Sequence, residues 1–195
     1  MELLGKYTSS NNWYCELEMN KSNFESVFEC FNTFNISKEK NKRYSRKISE
    51  IDEDRSNKLL VEDNTNIIEK VIHDTSEFLK TLGIETINSA HIELHQIISD
   101  SETEVEDSFC SHNDGEVGYD IISVLYYLSR DFSGGELVIY DSPEEESICQ
   151  TIDVRSSSED KIKIVLLDND VWHSINNVYG VGERNLLAVF IALKK

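Results

Sequence analysis

Positive charge is the scarcest commodity in this chain of 195 residues: 19 lysines and arginines stand against 37 aspartates and glutamates, a formal net charge of −18. Phosphate contacts need clustered Lys and Arg, so this balance argues against a nucleic acid or any other polyanionic partner. An acidic face can attract a cationic substrate, although solubility is the simpler use of such a surplus. Paired cysteines are missing as well. Cys15, Cys30, Cys110 and Cys149 lie far apart with no C-x-x-C among them, so neither a zinc knuckle nor a disulfide framework is expected, and reduced thiols in a cytosolic protein are the simplest account. No apolar run approaches the length of a membrane span. The opening segment from Met1 to Tyr7 has neither a basic n-region nor an apolar h-region, so no signal peptide and no membrane partner are expected, and the expected location is cytoplasmic. No internal repeat or long low-complexity tract is visible.

What remains suits one domain with a substantial core. Residues 12–19 alternate, with Trp13, Cys15, Leu17 and Met19 on one side and Tyr14, Glu16 and Glu18 on the other, the pattern of a half-buried strand. Ser22-Asn23-Phe24-Glu25 has the spacing of a capping box and opens a short helix with Phe24, Val27, Phe28 and Phe31 as its apolar stripe. From Ser37 to Asn57 the chain is polar, with a basic cluster from Lys38 to Lys47 and then Glu50, Asp52, Glu53 and Asp54; a solvated loop or lid is expected there. Residues 64–82 read as the clearest helix. Ile67, Ile68, Val71, Ile72, Phe78, Leu79 and Leu82 recur at helical spacing, and Gly83 suits the C′ position. Beyond it the texture changes to short strands, one containing Ala90 to Ile98 and others at 121–129, 135–141, 147–154, 161–167, 171–176 and 184–193, with turn signals such as Ser133-Gly134-Gly135 and Asp168-Asn169-Asp170 between them. Strands of this kind, led by helices, predict a β sandwich or jelly-roll barrel.

Two histidine patterns compete as metal sites. His91-Ile92-Glu93-Leu94-His95 places three potential ligands on one face of a strand, but side chains on one straight strand point parallel instead of converging. A polar face turned to solvent or to a helix is the simpler reading of it. The second pattern is Ser111-His112-Asn113-Asp114-Gly115, completed far downstream by Val171-Trp172-His173. On an extended segment His112 and Asp114 project from the same face. Joined by a distant His173 they make a 2-His-1-carboxylate set, which suits non-haem Fe(II) because three of six coordination positions stay open. The plain alternatives are a polar turn at His112-Asn113-Asp114-Gly115 and a satisfied, half-buried His173.

The surroundings favour the second pattern. It is followed by the strand Ser123-Val124-Leu125-Tyr126-Tyr127-Leu128-Ser129, then Phe132-Ser133-Gly134-Gly135-Glu136-Leu137, then His173, and finally Gly182-Glu183-Arg184-Asn185-Leu186-Leu187-Ala188-Val189-Phe190. Over roughly residues 90–195 this order of motifs resembles the 2-oxoglutarate- and Fe(II)-dependent dioxygenases, specifically the prolyl-4-hydroxylase-like branch. The resemblance implies a mainly β fold with N-terminal helices, a double-stranded β-helix of the jelly-roll or cupin-like kind. A single domain over 1–195 is expected from the length, with 1–84 a helical and polar support that could supply a lid and 85–195 the double-stranded β-helix catalytic core. The resemblance implies Fe(II) held by His112, Asp114 and His173, and 2-oxoglutarate held by Arg184 through its distal carboxylate and by Tyr127, with ascorbate as an accessory reductant. The implied reaction is hydroxylation of an unactivated C–H bond of an amino acid, small metabolite or peptidyl (prolyl-type) substrate by O2, with release of succinate and CO2. Because Asp114 is a carboxylate and not a small residue, halogenation is not implied. Arg184 in a planar bidentate pairing suits a dicarboxylate, and Arg184, Leu186, Ala188 and Phe190 share strand parity, so the cation would sit in an otherwise apolar wall. Its bland alternative is a surface ion pair with Glu183; Tyr126 replaces Tyr127 if the register slips by one. A catalytically silent β-barrel interaction module, and a nucleic-acid-repair dioxygenase on the same scaffold, are the competing functions.

Overall fold

The computed structural model describes residues 2–9, 12–34, 42–51, 65–105, 111–115, 120–142 and 148–194, the backbone alone for 2–9, 12, 42–51, 65, 88–89 and 101–105. Eleven strands and two α-helices are present among these residues: β1 (Glu2–Ser9), β2 (Asn12–Asn20), α1 (Glu25–Phe34), β3 (Lys42–Ile51), α2 (Thr65–Thr81), β4 (Thr86–Val105), β5 (Ile121–Tyr127), β6 (Ser133–Gly134), β7 (Leu137–Tyr140), β8 (Ile148–Ile152), β9 (Lys161–Asp168), β10 (Trp172–Ile175) and β11 (Val178–Leu193). The major sheet runs β1-β2-β9-β5-β11-β4-β3, with β6 on β11, and faces a minor sheet β10-β7-β8. All the pairings are antiparallel. This is the predicted double-stranded β-helix, a jelly roll with helices on one face.

The major sheet buries apolar side chains on both faces, each against a different partner. Leu17, Ile92, Leu94, Val124, Tyr126, Ile164, Leu166, Leu187 and Val189 pack against the helices, where Phe24, Val27, Phe31, Ile68, Val71, Ile72 and Leu79 form the opposing stripe. Burying a side chain of this size contributes roughly 1.5–3 kcal/mol. The other face carries Leu125, Tyr127, Val165, Leu167, Leu186 and Ala188, which meet Leu137, Ile139 and Ile152 of the minor sheet inside the barrel. Helix α2 ends as its sequence predicts: Gly83 takes φ +80°, and Ile84 donates to the Leu79 carbonyl at 3.0 Å, a Schellman closure. Helix α1 begins at Glu25 after a single 3-10 turn, Lys21–Asn23, so Ser22 lies within that turn and not at the helix cap.

The basic stretch expected as a solvated loop or lid departs from that expectation. Residues 42–51 form β3 and pair in register with β4, Arg43 opposite Ile97 and Lys47 opposite Glu93. Strand β4 is 20 residues long and its outer edge needs hydrogen-bond partners; a strand rich in Lys and Arg supplies them while discouraging further edge-to-edge pairing. The rest of that stretch, 35–41 and 52–57, and Cys110 lie outside the described residues. Strand β1 was not read from the sequence; it pairs with β2 at the opposite edge. Among the described residues no helix is long and apolar enough to cross a membrane.

Candidate metal centre

Two separate segments build the centre. The minor-sheet strand β10 carries His173, paired with Ile139 of β7 and therefore turned into the barrel. The 111–115 segment is fastened beside it by a reciprocal backbone pair, His112 N–H to the His173 carbonyl at 3.0 Å and His173 N–H to the His112 carbonyl at 2.8 Å. That bridge brings the two imidazoles to 4.4 Å between ring centroids. Asp114, two residues on, lies between them: Oδ1 is 3.8 Å from His112 Nε2, and Oδ2 is 3.8 Å from His173 Nε2. Ligand atoms of all three residues fall within 4.8 Å of one another, and no other such group of His, Cys, Asp or Glu exists among the described residues.

The environment suits ligation. His173 is buried, and Nδ1 donates to the Val171 carbonyl at 3.0 Å, which assigns the proton to Nδ1 and leaves the Nε2 lone pair facing Asp114. Burial holds its pKa below the ordinary imidazole value, against the opposing pull of Asp114. The neutral ring is the form that binds a metal. Ser123, on β5, donates to Asp114 Oδ2 at 2.5 Å.

Arg184 sits further along the same inner face. It is 1% exposed and shares that face with Leu186 and Ala188, so the surface ion pair with Glu183 does not form. Its Nε donates to the Gly135 carbonyl at 3.2 Å, its guanidinium carbon lies 5.3 Å from the Tyr127 ring centroid, and its Nη2 is buried with no hydrogen-bond partner. Gly135, at φ +68°, is what makes room: a Cβ there would stand 2.8 Å from Arg184 Cδ. The Gly-Gly turn and the arginine are thus one feature. Of the two tyrosines, Tyr127 faces Arg184, whereas Tyr126 points to the helices, its hydroxyl 3.0 Å from Thr75 Oγ1. A buried guanidinium with an unsatisfied donor, beside an aromatic ring, fits a small anion such as a carboxylate.

The H-x-E-x-H segment is placed otherwise than expected. His91, Glu93 and His95 lie opposite Phe190, Ala188 and Leu186 in register, so they line the inner face of the barrel; the helix-facing side is that of Ile92 and Leu94. Glu93 stands between the imidazoles, 3.1 Å from His95 Nε2 and 3.8 Å from His91 Nε2, and His91 stacks on Phe190 at 4.3 Å. The three do not converge on a common point, in keeping with the parallel geometry of one strand. The sequence also offered no role for Ser123 or for the Val171 carbonyl. A polar residue inside an apolar strand was the one available signal for Ser123.

No protein-family profile matches the chain, and no curated protein matches it in sequence. Solved structures do match in fold. The structure of IDO from Bacillus thuringiensis aligns with a TM-score of 0.54 and 17% identity over 92% of each chain. An oxidoreductase of the 2OG-Fe(II) oxygenase family from Burkholderia pseudomallei aligns at 0.52 and 18% identity over 77% of this chain and 66% of its own. A prolyl 4-hydroxylase structure from Phytophthora capsici aligns at 0.52 and 14% identity over 92% of this chain and 59% of its own. The chain shares the jelly-roll fold of these proteins.

Proposed function

We propose that the chain is an Fe(II)- and 2-oxoglutarate-dependent oxygenase that hydroxylates an unactivated C–H bond. The observation that carries this reading is the convergence of His112, Asp114 and His173 from separate segments inside a jelly roll of the oxygenase type. Two imidazole nitrogens and one carboxylate suit Fe(II) with open positions remaining. In this reading His112, Asp114 and His173 hold the ion, and Arg184 with Tyr127 holds the distal carboxylate of 2-oxoglutarate.

Held by His112, Asp114, His173, Arg184 and Tyr127, the metal and cosubstrate would supply the oxidising power, with O2 consumed, succinate and CO2 released and one oxygen atom delivered to the substrate. The protein's part is placement and exclusion. The Val171 carbonyl keeps the His173 proton on Nδ1, so Nε2 stays available. Leu125, Leu186 and Ala188 keep water from the inner wall, which strengthens any charge pairing made by Arg184. The Gly135 carbonyl fixes the guanidinium plane through Nε, leaving Nη2 as a donor for an incoming carboxylate. The substrate classes proposed are a free amino acid, a small metabolite and a peptidyl residue such as proline, the last on the likeness to the prolyl 4-hydroxylase fold.

The test is succinate formation from 2-oxoglutarate by purified protein with Fe(II), with and without O2, against pools of amino acids and proline-containing peptides. Turnover should need both the metal and O2, and His173→Ala should abolish it. Metal binding without succinate under any of these conditions would leave a silent binding module of the same fold. Turnover that survives His173→Ala would refute the site.

A further inference from the structure

We propose that Ser123 is a positioning residue of the metal centre: its hydroxyl occupies Oδ2 of Asp114 and leaves Oδ1 as the single oxygen the carboxylate offers an ion. The inference rests on the triad being the iron site proposed above.

Strand β5 is buried at all seven positions, and Ser123 is the one residue among Ile121, Ile122, Val124, Leu125, Tyr126 and Tyr127 whose side chain is neither aliphatic nor aromatic. Its cross-strand neighbours on that face are Leu167 of β9 and Phe190 of β11. A hydroxyl with no exposure in such company is costly unless bonded. Packing alone would be served better by an apolar residue. The bond it makes is the 2.5 Å contact to Asp114 Oδ2, short as expected for a hydroxyl donating to a carboxylate.

The contact breaks a symmetry that otherwise matters. Each Asp114 oxygen stands 3.8 Å from the Nε2 of a different histidine, so neither is singled out by the imidazoles. A carboxylate so placed could grip an ion with both oxygens. Two nitrogens and one oxygen occupy three of six positions and leave three, whereas a two-oxygen grip leaves two. With Oδ2 engaged by Ser123, the carboxylate is steered to one-oxygen ligation, and the 111–115 segment gains a side-chain anchor to the major sheet beyond its backbone bridge to β10.

The experiment titrates the metal-free full chain with Co(II), whose visible spectrum reports coordination, comparing wild type, Ser123→Ala, Ser123→Thr and Asp114→Ala. Ser123→Ala should weaken binding by about 10–100-fold, the usual effect of removing a ligand's hydrogen-bond partner, and should shift the Co(II) spectrum. Ser123→Thr should restore both. Should Ser123→Ala not fold, Ser123→Cys, close in size with a weaker donor, is expected to give an intermediate affinity and an altered spectrum. Wild-type affinity and spectrum in the alanine variant (or the cysteine variant in its place) would overturn the proposal. So would a lowered melting temperature of the metal-free form with the spectrum unchanged, since that is what a merely structural hydroxyl predicts. Failure of the wild type itself to bind Co(II) or Fe(II) would instead bring down the iron-site reading, and this inference with it.

Discussion

Replacing Arg184 by methionine should make the protein blind to 2-oxoglutarate while costing little heat stability in the cosubstrate's absence. Arg184 is 1% exposed, its guanidinium meets one backbone carbonyl and an aromatic ring, and no carboxylate among the described residues is within ion-pair distance. Holding a charge in such a place costs several kcal/mol, and apolar replacements of buried ionic groups are commonly neutral or stabilising by about 1–4 kcal/mol. Against that, the Gly135 carbonyl loses its donor, a cost of roughly 1–3 kcal/mol. The two nearly cancel, so Arg184→Met should melt within a few degrees of the wild type or above it. With ligand the behaviour diverges. At a cosubstrate concentration 100-fold above Kd the wild type gains about 2.7 kcal/mol, and at ~2–4 °C per kcal/mol for a protein of this length the melting temperature should rise by roughly 5–11 °C. Differential scanning fluorimetry with Co(II) or Mn(II) present reads this directly. Pyruvate, which keeps the 2-keto acid but lacks the distal carboxylate, should shift the wild type far less and should not distinguish it from Arg184→Met. Two results would refute the reasoning: an equal 2-oxoglutarate shift in both proteins, or a variant destabilised by more than about 4 kcal/mol without ligand, which would make the guanidinium a structural group.

Gly135→Ala should act on the same pocket from behind: the residue at φ +68° gains a Cβ 2.8 Å from Arg184 Cδ, the left-handed backbone costs about 1–2 kcal/mol, and Kd for 2-oxoglutarate, measured by fluorimetric titration, should rise roughly tenfold. Lys163→Met should lower the urea-unfolding free energy by about 3–5 kcal/mol, because Glu16, bonded to Lys163 Nζ at 3.2 Å and itself buried, is left uncompensated; adding Glu16→Gln to that variant should restore most of the loss. Stability should decline above about pH 10 in an equilibrium-unfolding series. Burial pushes Tyr14 up to about 12 and raises Tyr126 as well; a folded pKa above the unfolded one means the contribution is complete below the unfolded value and is lost as pH rises past it. Tyr126→Phe should flatten that alkaline decline.

The parts legible in the sequence were those in which one pattern had one physical meaning. The 3.6-residue spacing of Ile68, Val71, Ile72 and Leu79, closed by Gly83, admits little besides an amphipathic helix, and it forms α2. Strand parity placed Arg184 with Leu186 and Ala188 on one face because nothing interrupts β11 between them. The stretch at Lys42–Ile51 was opaque because charged residues mark both a solvated loop and an edge strand, and only β4, distant in sequence, decides between them. His91, Glu93 and His95 misled for a related reason. Alternation separates a polar from an apolar face but does not say that the polar one is outside; here the apolar face goes to the helices and the polar one lines the barrel beside the candidate centre. The Ser123 hydroxyl was visible only as a break in an apolar strand, and its meaning depends on Asp114, which reaches it from a different segment.

Charge economy connects these features. With 19 cations against 37 acids, this chain has carboxylates to spare for every basic group. Several described cations use them: Lys163 with Glu16, Lys161 with Glu18, Lys194 with Glu85, and Arg155 held by both oxygens of Asp153 at 2.8 Å. Arg184 is more deeply buried than any of these and is given none among the described residues. In a protein this acidic, such isolation is not what composition alone would produce, and it is unstable against the easy substitution of an apolar residue. It becomes favourable once an anion small enough to enter the barrel supplies the missing charge, because the same low-dielectric wall that penalises the lone cation strengthens the pair. On the proposed function, the arginine would therefore restrict the ligand beyond what His112, Asp114 and His173 can. There, 2-oxoglutarate would meet that requirement through its distal carboxylate, which pyruvate lacks.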